Sequence, residues 1–116
     1  MRKLNLKDYT VKVKANDVNH PLGVVEMEIP YHFLDSLVNL LFAREMQLDS
    51  AGLVKQNMLA IRLESCKDTG EILLEEEEYS RIKRAVDTHK GFGKNDIELV
   101  TRINNAEVVE VESKKT

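Results

Sequence analysis

An α+β fold is what this sequence predicts, and three observations predict it. Two runs near the start alternate apolar and polar residues with period two. Four later segments carry apolar residues at helical spacing, and a short alternating run returns near the end. Together they describe an N-terminal β-hairpin, a C-terminal strand able to join it, and about four helices that supply most of the core.

The first run sets Tyr9, Val11 and Val13 against Thr10, Lys12 and Lys14, a strand with one wet face. The second, Val24 to Ile29, alternates again after the turn-rich stretch from Ala15 to Gly23, so the pair reads as a hairpin. Its loop is long for a hairpin, which marks the tip for mobility or for contact with a partner. Pro30 has no amide proton for a ladder and suits the first turn of a helix. A helix over Tyr31 to Glu45 follows, with Leu34, Leu37, Val38, Leu41 and Glu45 at helical spacing. Phe33, Leu40 and Phe42 widen its apolar surface beyond one stripe. Such a helix is buried on more than one side, and in a chain this small the second side can be another subunit.

Asp49 or Ser50 caps a second helix reaching about Cys66, with Ala51, Val54, Met58 and Ile61 on one face. The alternation from Leu59 to Glu64 leaves a strand open for Met58 to Leu63, turning at Lys67 to Gly70 to pair with Glu71 to Leu74. Length and the Met58/Ile61 spacing favour the helix. After a short extended Ile72 to Leu74, a third helix runs from about Glu75 to Lys90, with Tyr79, Ile82, Ala85 and Val86 apolar, and Gly91-Phe92-Gly93 ends it. Asn95 caps a last helix, with Glu98 at capping-box spacing and Ile97, Val100 and Ile103 on its apolar face. Ala106 to Glu112 offers the C-terminal strand, and 113–116 reads as a frayed tail. No repeat or linker divides 1–116, which reads as a single domain.

The chain has 116 residues, 42% of them hydrophobic and 32% charged, the balance of a globular, well-solvated protein. A net charge of −3 creates no global field to gather nucleic acid. The single cysteine, Cys66, allows neither an intramolecular disulfide nor a paired-cysteine zinc site. No stretch approaches the roughly 18 apolar residues of a membrane span, and no apolar run follows Arg2 and Lys3 as in a signal peptide. A cytoplasmic protein that leaves membranes alone is the expectation.

Four consecutive glutamates, Glu75 to Glu78, pose the main question of chemistry. Successive helical residues point about 100° apart, so the four carboxylates fan out instead of converging on a metal. They read as a helix start, complementing the free amides, with Glu77 set four residues before Arg81. Gly91-Phe92-Gly93-Lys94-Asn95-Asp96 invites an anion-binding reading. However, Asn95 stands where a phosphate loop needs Ser or Thr, a helix precedes where a dinucleotide fold needs a strand, and Asp96 would repel a phosphate. His20, His32 and His89 stand at no metal-ligand spacing, and a Cys66–His pair could form only through folding. No catalytic, metal or cofactor-binding residue is expected, and no cofactor. For nucleic acid, Arg81, Lys83 and Arg84 with Lys94 come nearest to a basic surface. The acidic first turn of that helix, and Glu26 and Glu28 facing Lys12 and Lys14, count against it.

In layout the chain resembles the small accessory proteins of tailed bacteriophages. The residues that carry this are the opening run from Leu4 to Lys14 and the Leu74 to Arg84 helix start followed by Gly91-Phe92-Gly93. The resemblance spans most of the length and implies a helper role in virion assembly, replication support or host interference, in the host cytoplasm or the virion. It carries over no functional residue. The expectation is a non-catalytic interaction or assembly module that self-associates as a homo-oligomer through Leu37, Leu40, Leu41 and Phe42, with a foreign protein as another possible partner. A small nucleic-acid-binding regulator using Arg81, Lys83, Arg84 and Lys94 is one alternative. A small nucleotide-binding protein or hydrolase built around Gly91 to Lys94 is another.

Overall fold

Two separate antiparallel sheets take up the five strands of the described chain. The computed structural model describes residues 1–16 and 23–110. The expected hairpin tip with His20, and the expected tail at 113–116, lie outside the described residues. The first sheet joins β1 (Arg2–Asn5), β4 (Glu71–Leu74) and β5 (Glu107–Val108) in the order β4-β1-β5. The second is a ribbon of β2 (Tyr9–Asn16) and β3 (Val24–Tyr31). Four α-helices follow the ribbon: α1 (Phe33–Leu41), α2 (Ser50–Ser65), α3 (Glu76–Thr88) and α4 (Ile97–Asn104). The fold is α+β.

The C-terminal strand does not join the hairpin. It pairs with β1, as Arg2↔Val108 and Lys3↔Glu107, while β4 lies along the other side of β1. The extended run near the N-terminus is therefore two strands, and local hydrogen bonds at Leu6, Lys7 and Asp8 divide it. The Asn5 side chain accepts from the Lys7 amide at 2.9 Å, the Leu6 amide donates to the Gly70 carbonyl at 2.8 Å, and Asp8 Oδ1 accepts from the Phe33 amide at 3.0 Å. Short polar side chains that bond the backbone in this way compete with a continuous ladder. Asp8 also serves the first turn of α1, where His32 at the cap position makes no side-chain capping bond.

β3 runs through Pro30 to Tyr31, so Pro30 lies inside the strand. A two-stranded ribbon is all edge, and at an edge a missing amide proton costs no ladder bond. α1 is shorter than the Tyr31–Glu45 span and gives way to a 3₁₀ turn at Arg44–Met46. Met58 to Leu63 is helical, within α2, and Asp49 Oδ1 caps that helix by accepting from the Gly52 amide at 2.7 Å. A left-handed Gly70 (φ +77°) then turns the chain into β4, with the Lys7 side chain lying directly over it. The Asn95–Glu98 capping box does not form. A 3₁₀ turn at Lys94–Asp96 precedes α4, Asp96 takes the Gly93 amide at 2.8 Å, and Glu98 pairs with Arg102.

The core lies between the three-stranded sheet and the helices. Leu4, Ile72 and Leu74 come from the sheet, Phe33, Leu37 and Leu41 from α1, Leu59 and Leu63 from α2, Ile82 and Val86 from α3, and Leu99 and Ile103 from α4. Among the described residues, the ribbon is tied to this body at its root. Tyr9 and Tyr31 stack with ring centroids 4.5 Å apart. Their hydroxyls donate to the Asn95 carbonyl at 3.0 Å and to Asp96 Oδ1 at 2.5 Å. Burial and the Asp96 carboxylate push the Tyr31 phenol far above its ordinary range, and burial also raises Tyr9. Arg102 lies over the Tyr9 and Phe33 rings and donates to the Asn5 and Lys7 carbonyls, fastening the β1–β2 connection.

Candidate functional site

The four leucine-rich positions expected to form an interface divide unevenly. Leu37 and Leu41 are fully buried, Leu40 nearly so, and only Phe42 reaches the surface, 37% exposed at the end of α1. The breadth of apolar surface on α1 is used by its own chain, with α2 packed on one side and α3 on another. An interface cannot be built from Leu37, Leu40 and Leu41 in this fold.

The exposed apolar face belongs to α2. Leu53, Val54, Met58 and Ile61 are 51%, 59%, 65% and 60% exposed. At about 100° per residue these positions fall on one broad face of the helix. The opposite face, which packs on the core, carries Gln56, Leu59, Ala60 and Leu63. Val54, Met58 and Ile61, from the apolar face expected for this helix, thus lie at the surface, and the core contact is made from the opposite side. Its inward anchor is polar. Buried Gln56 donates through Nε2 to the Leu41 carbonyl at 3.1 Å and accepts from Arg81 Nη1 at 3.1 Å. It thereby satisfies a carbonyl that the end of α1 leaves free.

Charged residues edge this face on the α3 side. Arg62 holds Glu78 through two nitrogens, at 2.6 and 2.9 Å, and also donates to the Leu73 carbonyl at 2.5 Å. Lys55 and Arg81 both reach Glu77 at 3.7 Å. Burial pushes the Glu78 carboxyl up, but Arg62 and the Glu75 amide outweigh it and leave Glu78 below the usual carboxylate range. The Arg62 guanidinium is raised in turn by its bond to Glu78. A cleft of about 320 Å³ opens here, with Met58 on its wall. An apolar centre edged by ordered charge is the general anatomy of a protein interface.

Every member of the glutamate run is accounted for. Glu75 and Glu78 form a reciprocal capping box at the start of α3, Glu76 lies 3.5 Å from Arg2, and Glu77 and Glu78 hold the cations just described. Among the described residues no group of three or more His, Cys, Asp or Glu is placed to hold a metal ion.

Arg81, Lys83, Arg84 and Lys94 are not brought together as one basic surface. Arg81 is spent on Glu77 and Gln56, and Lys83 on Asp87 at 2.8 Å. Arg84 is exposed and borders a cleft with Arg81, Lys55 and Asp49, whereas Lys94 lies beyond α3 beside the ribbon root. In and beside the Gly91 to Lys94 loop, two of the amides nearest a would-be anion are taken by carboxylates. Gly93 donates to Asp96, and Lys90 to Glu45 at 3.2 Å. His32 and His89 face Asp8 and Glu45 at 3.0 and 3.1 Å, and Cys66 has Ser65 as its side-chain neighbour.

Sequence reading missed Gln56, Arg62, Asp8 and Arg102. All four act across long stretches of chain, on Leu41, Glu78, Phe33 and Lys7 respectively. The one local signal was Gln56 itself, a polar residue on what becomes the inward face. No known protein family matches this chain, and neither a curated protein nor a solved structure matches it. Among the described residues no helix is long and apolar enough to cross a membrane.

Proposed function

We propose that this protein is a non-catalytic interaction or assembly module that self-associates, with the outward face of α2 as its contact surface. One observation carries the reading: Val54, Met58 and Ile61 form an apolar strip along one side of α2, with Leu53 beside it across Asn57, and all four residues are more than half exposed. Patches of that kind on soluble proteins mark interaction sites, and two-fold symmetric pairs are the commonest way to cover them. The pairing of Arg81 with Glu77 and of Lys83 with Asp87, and the Asp96 carboxylate on the Gly93 amide, favour this reading over nucleic-acid or nucleotide binding. The resemblance to phage accessory proteins supports a helper role of the same kind.

Light scattering on a size-exclusion column, at low and high salt, tests the proposal. An apolar interface gives an oligomer at both salts, and Ile61→Glu converts it to a monomer that keeps its helical circular dichroism. A wild-type monomer at every concentration would refute it.

A further inference from the structure

A second apolar face is left without a partner, on the ribbon. Register places Val11 opposite Ile29 and Val13 opposite Met27 on the face that begins with the Tyr9–Tyr31 stack, and Val25 continues it. Lys12, Lys14, Glu26 and Glu28 occupy the other face, with Lys12 and Glu26 3.5 Å apart, so the charges there offset one another. No other element of the described chain packs closely along the ribbon, and Met27 and Ile29 are exposed. A two-stranded ribbon is marginal in water unless its apolar face is covered. At its root, a cleft of about 560 Å³ separates β2 from α4, lined by Tyr9, Val11 and Ile97 together with the charged Lys12, Lys94 and Glu98. Ile97 is exposed at its margin. The ribbon face and this cleft form one concave, largely apolar corner.

We infer that this corner receives the outward face of α2 from a second copy, reciprocally about a two-fold axis, so that each ribbon clasps its partner's second helix. The inference rests on the reading of α2 as the self-association surface. Area decides between this arrangement and simple pairing of two α2 helices. Four half-exposed aliphatic side chains on α2 offer on the order of 250 Å². A ribbon of eight pairs, about 27 Å long and about 10 Å wide, offers on the order of 250 Å² more. Helix-on-helix pairing would bury roughly 500 Å² in total, in the range of incidental contacts. Reciprocal clasping buries roughly 1,000 Å² and reaches the threshold of a specific interface. It also covers both apolar faces with one symmetry operation, and it matches like with like, since Val11, Val13, Met27 and Ile29 on the ribbon and Val54, Met58 and Ile61 on α2 are all apolar.

Cysteine pairing between copies is the test. In a Cys66→Ser background, Met58→Cys on α2 and Ile29→Cys on the ribbon are made separately, one with a size tag. They are then mixed and treated with a short bis-maleimide. Clasping gives the mixed, tagged–untagged product as the main species, with little linking within either variant alone. Met58→Cys copies that link to each other with no mixed product would overturn the clasp while leaving α2 as the interface. Absence of any linked product in a sample that scatters as a monomer would remove both. As a second variant, Val13→Glu on the ribbon should weaken self-association without altering the melting of the body. An unchanged mass distribution with Val13→Glu would also overturn the clasp.

Discussion

α1 and α2 are both richer in apolar residues than one buried stripe requires, yet the fold treats them oppositely. α1 is enclosed: Phe33, Leu37 and Leu41 have no exposed surface, and neighbours on several sides use its full breadth. α2 packs through Leu59, Ala60 and Leu63 around buried Gln56 and turns Leu53, Val54, Met58 and Ile61 to solvent. The count of apolar residues therefore does not tell how many sides of a helix are buried, and a polar contact marks which side meets its own chain. For α2 that contact is the Gln56 amide bridging the Leu41 carbonyl and Arg81.

Substitutions can break this comparison, beginning with the core. Leu37→Ala removes a fully buried side chain at the centre of α1 and should cost about 2–5 kcal/mol in denaturant unfolding. Met58→Ala on the outward face should stay within about 0.5 kcal/mol in a monomeric background. Equal losses at the two positions would mean that the helices are not used differently. Gln56→Leu keeps the volume but leaves the Leu41 carbonyl without its donor, and should cost about 1–3 kcal/mol by the same measurement. A neutral result would show that Gln56 does not orient α2. Asp49→Ala removes the cap of α2 and should cost about 1 kcal/mol, visible as a lower melting temperature.

The smallest effect is electrostatic, at the margin of the α2 face. Glu78 is held below its ordinary range in the folded protein by Arg62 and the Glu75 amide, so its stabilising contribution is complete above the unfolded value of about 4.3 and fades as pH falls through the folded value. Melting temperatures of wild type and Glu78→Gln should therefore differ at pH 7 and converge toward pH 3. A gap that is constant with pH would contradict the pairing.

Much of this fold is legible in the sequence because its signals are local. Alternation gave the ribbon, with Glu26 and Glu28 opposite Lys12 and Lys14, Asp49 or Ser50 announced α2, and the Glu75–Glu78 run announced α3. The sheet pairing was not legible, since β1 and β5 are four and two residues long and their ladder joins opposite ends of the chain. That α2 and not α1 carries the exposed apolar face was not legible, for a physical reason. Periodicity finds an apolar face on α2, but that face and the core-packing face differ by rotation about one axis, and the choice is made by Leu41 and Arg81, fifteen and twenty-five residues from Gln56.

The direct test of the central claim sets one helix against the other at the surface. Sedimentation equilibrium over a dilution series would compare Met58→Glu on α2 with Phe42→Glu at the exposed end of α1. Loss of the oligomer in Met58→Glu, with wild-type association in Phe42→Glu, is the predicted result. An oligomer that survives Met58→Glu and dissociates in Phe42→Glu would place the interface on α1 and contradict the assignment of α2.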